Sequence, residues 1–209
     1  IIEHPQVMNV RVFILCGMLV LAGCAQNRPV SEGPGPDALA TGLTPQAERI
    51  TDSRIAADMA TMKALQQRIK ALNESGAAVG HYPMAKAQCW LDTAWSQYHE
   101  NDRTGYVEEA LSESIKIVAT LEKDKSAVVG FETPLVARST RLREDLWSQI
   151  NAHKSRRSTL ACNARSVACS EVRLVRAGHA EQQTGWRQAS PHVLMAEDAL
   201  KRAAAEAAS

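Results

Sequence analysis

The sequence predicts an all-α fold, an antiparallel bundle or array of about six helices over residues 44–209. Three observations predict it. Apolar residues recur at three- and four-residue spacings from Thr44 onward, and no convincing run alternates with period two. The chain is 45% hydrophobic but only 4% aromatic, and much of the apolar share is alanine, the best helix former. Prolines also sit where helices should begin, behind capping hydroxyls at Thr44-Pro45, Thr133-Pro134 and Ser190-Pro191.

The first helix follows Thr44-Pro45 and carries the stripe Ile55, Met59, Met62, Leu65, Ile69 and Leu72. Tyr82-Pro83 starts a second, with Met84, Ala87, Leu91, Ala94, Trp95 and Tyr98 on one face. Val107, Ala110, Leu111, Ser114, Val118 and Leu121 mark a third. The fourth opens at Thr133-Pro134, carries Leu135, Leu142, Leu146 and Ile150, and ends over Asn151 to Ser158. Ala164, Ala168, Val172 and Val175 mark a fifth. The sixth opens at Ser190-Pro191 with Val193, Ala196, Ala199, Leu200 and Ala203. Short connections such as Glu100 to Thr104 make consecutive helices antiparallel neighbours. Gly105 to Ala110 partly resembles the start of the second helix of a tetratricopeptide unit, but no 34-residue period recurs.

Residues 1–23 read as a targeting segment. Met8-Asn9-Val10-Arg11 gives a positive start and Val12 to Val20 an apolar core, while Ile1 to Val7 reads as upstream sequence before a true start at Met8. The core falls well short of the roughly 20 residues that span a bilayer. Leu21-Ala22-Gly23-Cys24 resembles the lipobox of bacterial lipoproteins. That resemblance implies cleavage before Cys24 and a diacylglyceryl thioether on its sulfur, the thiolate being the nucleophile. A membrane anchor through the Cys24 lipid follows. Ala25 behind the cysteine implies the outer membrane, facing the periplasm. Residues 24–43 are rich in Pro and Gly and read as a flexible linker, with a reach of about 24 Å. Residues 44–209 form the helical domain.

A net charge of +1 argues against nucleic-acid binding, which needs a basic footprint. The charge is nonetheless divided. Asp92 to Glu113 holds six acids against Arg103, a balance of −5. Arg138 to Arg176 holds nine bases against three acids, a balance of +6. Two solvated faces account for this division. A docking surface for an anionic envelope protein is the sharper alternative.

Cys16 lies in the targeting segment, so Cys89, Cys162 and Cys169 remain beside the anchor. A Cys162–Cys169 disulfide is a candidate in an oxidising compartment. Seven residues on one helix span about 10.5 Å of axis, so this bridge needs a break near Asn163 to Ser166. Cys89 with either partner, or three buried thiols, are the alternatives. Cys162, Cys169, His179 and His192 match no standard zinc spacing, so no metal is expected. No His-Glu-x-x-His frame, Gly-x-Ser-x-Gly elbow or phosphate loop occurs. Glu108, Glu109 and Glu113 look like paired carboxylates, but Glu109 and Glu113, at i and i+4, read as a solvated face, and Trp95 and Trp147 as core. No catalytic residue, cofactor or small-molecule substrate is expected, and the chain does not read as an enzyme.

Several segments resemble the helical region of proteobacterial OmpA-family lipoproteins. They are Ala85 to Asp92, Tyr98, Asn101-Asp102-Arg103, Thr133 to Val136, Ala168 to Val172, Gly185-Trp186-Arg187 and Met195 to Asp198. The resemblance covers roughly residues 44–205 and implies envelope attachment without a catalytic motif. In that family a separate α/β peptidoglycan-binding domain follows. Here the sequence ends at Ser209 in an alanine-rich helix, so either a truncated product or a helical domain working alone is expected. The expected function is a structural or scaffolding role for a lipid-anchored periplasmic protein. The alternative is a helical-hairpin adaptor for a periplasmic protein or peptide.

Overall fold

A computed structural model describes residues 40–78 and 80–207. The described residues form six helices and no strand, as the spacings predict: α1 (Asp52–Glu74), α2 (Tyr82–His99), α3 (Tyr106–Lys123), α4 (Glu144–Ser155), α5 (Arg157–Thr184) and α6 (Trp186–Glu206). The targeting segment, Cys24 and the linker up to residue 39 lie outside the described residues. No described helix is long and apolar enough to cross a membrane.

Three helix starts differ from expectation. Thr44-Pro45 opens only a 3-10 turn, Gln46–Glu48, and α1 begins behind Thr51, whose hydroxyl accepts the Arg54 N–H at 3.4 Å. Thr133-Pro134 likewise precedes only a 3-10 turn, Val136–Arg138, and α4 starts at Glu144. Pro191 lies inside α6, which begins five residues earlier behind Gly185. Proline fits a first helical turn but does not require one. Tyr82-Pro83 does start α2 as expected.

The long α5 is the spine. It packs most extensively along α6, from which Gly185 alone separates it, and also against α2 and α4. The α5–α6 seam is made of small side chains. Ala164, Ala168, Ala196 and Ala203 are all buried, which lets the two backbones approach. α2 and α3 form the predicted hairpin, with α1 laid against both. Trp90, Tyr106, Leu111, Leu146 and Ile150 fill the centre. Trp147 is buried and Trp95 packs against the core, while Trp186 stands exposed.

The connection between α3 and α4 crosses α5 at Gly178. A Cβ there would lie 1.8 Å from the Thr140 carbonyl oxygen, so only glycine admits the crossing. The same connection carries Ala137 and Arg138 in the left-handed region, at φ 51° and 55°. Glu109 holds this turn by accepting the Ala137 N–H at 2.7 Å, and the Gln182 amide donates to the Arg138 carbonyl at 2.6 Å. Buried Val136 anchors it.

The expected Cys162–Cys169 bridge is not formed. α5 runs unbroken through both positions, so the required break is missing. Cys169 instead bonds Cys89 on α2, with Cα atoms 5.4 Å apart across 80 residues of sequence, and Cys162 is an exposed free thiol. Packing of α2 on α5 brings the pair within disulfide range.

Candidate functional site

A cavity of about 920 Å³ opens where the α2–α3 turn meets the end of α5. One wall is the segment 40–47, and the α2–α3 turn and the last turns of α5 face it. Its volume suits a small ligand or a short peptide segment.

The segment is held by a buried polar clasp. The Arg49 guanidinium pairs with Glu108, lies 3.5 Å from Asp58, and donates to the Thr44 carbonyl at 2.9 Å. The same guanidinium sits 5.1 Å from the Tyr98 ring centre. Asp58 accepts the Thr44 N–H at 2.6 Å and the Tyr98 hydroxyl at 2.7 Å. Burial and the neighbouring Asp58 push the Tyr98 hydroxyl up to about 12. Gln46 donates to the second Glu108 oxygen at 3.1 Å.

On the opposite wall His179 is 1% exposed. Its Nε2 lies 2.6 Å from Asp102 Oδ2 and 3.2 Å from Thr104 Oγ1, and its ring packs at a tilt against Tyr106, with centroids 4.4 Å apart. Thr104 donates its N–H and its hydroxyl to Asp102 Oδ1, at 2.8 and 2.6 Å. Burial works to raise the Asp102 carboxyl, but the hydrogen bonds from His179 and Thr104 outweigh it and hold it below the usual range. This trio is not a nucleophile relay. A relay needs the hydroxyl and the carboxylate on opposite ring nitrogens, and here both meet Nε2. Nearby, Arg176 bonds Glu100 at 2.9 Å.

A second polar cluster lies inside the bundle. Lys86 of α2 is fully buried and pairs with buried Glu171 of α5, which also accepts from the Tyr82 hydroxyl. Lys154 of α4 reaches the other Glu171 oxygen at 2.8 Å and donates to the Phe131 carbonyl. Lys86 also donates to Thr133 Oγ1 at 2.6 Å. Burial pulls the Lys86 ammonium down to about 8 against the opposing pull of Glu171. Burial and Glu171 together raise the Tyr82 hydroxyl far above its ordinary range. These contacts tie the α3–α4 connection to three helices.

The sequence-stated candidates are dispersed. Of Cys162, Cys169, His179 and His192, Cys169 is consumed in the disulfide and His179 is bonded to Asp102. No group of three metal-ligating side chains occurs among the described residues. Of the acidic trio, Glu108 is buried in the clasp, while Glu109 and Glu113 are half-buried, Glu109 holding the Ala137 turn and Glu113 pairing with Lys116 at 2.6 Å. Much of the basic stretch is paired as well, with Arg141 on Glu144, Arg143 on Asp145 and Glu197, and Lys154 on Glu171. Sequence reasoning missed Arg49, Asp58, Lys86 and Glu171. One signal was present: Asp58 and Lys86 each lie on the buried face of an apolar-striped helix, where a charge demands a partner. No family model, curated protein or solved structure matches the chain.

Proposed function

We propose that the chain is a lipid-anchored envelope lipoprotein whose helical domain does structural or scaffolding work rather than catalysis. Cys24 is the anchor, the outer membrane the site and the periplasm the facing compartment. The observation that carries this reading is the Cys89–Cys169 bridge, because stable protein disulfides belong to oxidising compartments such as the periplasm. It agrees with the exported start read at Met8 and the lipobox at Leu21 to Cys24. The resemblance to the helical region of OmpA-family lipoproteins points to the same envelope. The non-enzymatic reading rests on the cleft, where the charged groups neutralise one another and the His179 trio lacks relay geometry. Labelled palmitate supplied to cells expressing the chain from Met8 should enter the wild type and not Cys24→Ser. Equal labelling of both would sink the anchor.

The second reading, an adaptor for a periplasmic protein or peptide, is favoured by the 920 Å³ cleft rather than by the divided charge. A photo-crosslinking residue at Gln183, on the cleft wall, should then trap a discrete envelope partner. One at exposed Ser148 of α4 should not. Identical crosslinks at both positions would remove the adaptor reading.

A further inference from the structure

We propose that residues 43–50 are a latch, a segment that detaches from the helical body as a unit, with Arg49 as its pin and one wall of the cleft as its seat. The attachment of this segment is mainly polar. Leu43 packs partly against the core, but Ile50 is 73% exposed, and Pro45, Ala47 and Glu48 face solvent. The buried part of the attachment is one guanidinium set between two carboxylates from different helices, Asp58 of α1 and Glu108 of α3, while the exposed contacts of Arg54 with Glu48 and of Arg103 with the Gln46 carbonyl are solvated and weak. The same guanidinium closes the segment on itself through the Thr44 carbonyl.

The buried part of this attachment is cooperative. Asp58 uses its two oxygens on the Thr44 N–H and the Tyr98 hydroxyl, and Glu108 uses its two on Arg49 and Gln46. Withdrawing Arg49 removes the cation from both carboxylates at once, and these then favour solvent over a buried, unpaired state. The body beneath has its own fastenings. α2 and α5 are joined by the disulfide and by Lys86–Glu171, neither of which involves the segment. Residues 40–47 line the cleft, so detachment removes that wall and exposes the α2–α3 turn and the His179 side. The latch lies on the amino-terminal side of α1, so a pull from that side reaches Arg49 before any α-helix.

Native-state hydrogen exchange on the full chain tests this. The amides of Thr44, Glu48, Arg49 and Ile50 all donate within the described structure and report the latch. They should exchange through an opening that leaves α2 and α5 protected, at rates about 100-fold above the helix amides. Arg49→Met should speed these four amides a further tenfold or so without moving α2 or α5. Should that variant unfold, Arg49→Met with Asp58→Asn and Glu108→Gln removes all three charges and is read in the same way. Latch amides that exchange only together with α2 and α5 would overturn the proposal. So would equal deprotection of the whole domain in both variants.

Discussion

Single residues carry most of the polar architecture. The inner cluster holds two ammonium groups and one carboxylate, so its members are not equivalent. Lys86→Met leaves a balanced Lys154–Glu171 pair and should cost less than about 3 kcal/mol, whereas Glu171→Gln strands two lysines and should cost about 3–5 kcal/mol. Urea titration of both variants checks the order. Lys86 also writes a pH dependence. Its folded value near 8 lies below its ordinary 10.5, so between these values the unfolded chain binds more protons and stability rises with pH. Above about pH 10 the raised Tyr82 hydroxyl reverses the trend, because the unfolded chain then loses that proton first. Stability measured from pH 7 to pH 10 should therefore climb in the wild type and stay flatter in Lys86→Met. Asp58 and Lys86 were legible as anomalies in their stripes, but their partners Tyr98 and Glu171, 40 and 85 residues away, depend on packing that no spacing encodes.

At the level of elements, every predicted helix exists because its apolar stripe is long and regular, and burial of that stripe decides the matter. The starts were less legible. Thr44-Pro45 and Thr133-Pro134 satisfy local capping chemistry but are followed by residues with no continuous core face, so only 3-10 turns form. Pro191 forfeits one hydrogen bond within α6, and the burial of Ala189 and Val193 on either side keeps the helix whole. The α3–α4 connection reads from sequence as the opening of the fourth helix, whereas its actual form follows from the approach to Gly178. Gly178→Ala forces a Cβ into the Thr140 carbonyl and should cost about 3 kcal/mol or more, read from denaturant midpoints. Ala137→Gly should be neutral or stabilise by up to about 1 kcal/mol, because glycine holds the left-handed conformation without strain. Opposite signs at two positions in contact with the same connection distinguish this account from general loop sensitivity.

Across the whole molecule, the Cys89–Cys169 bridge is a covalent fastening between the two helices that Lys86–Glu171 also joins. Its removal by Cys89→Ala with Cys169→Ala should cost about 2–5 kcal/mol and lower the melting temperature by about 5–15 °C. The helical content should survive at 25 °C. Circular dichroism checks both. The all-α class was legible from end to end, whereas the disulfide partner was not: three cysteines permit three pairs, and only the contact of α2 with α5 selects one.

That selection has a consequence for how the molecule is made. A chain that emerges amino end first presents Cys89 long before either partner, and it presents the wrong one, Cys162, seven residues ahead of Cys169. Oxidation that outruns the folding of α5 therefore captures Cys162, and the native bond then arises by exchange. In that exchange the Cys169 thiolate attacks the Cys89 sulfur and Cys162 departs as the thiolate, which matches the free, exposed thiol found at Cys162 in the folded protein.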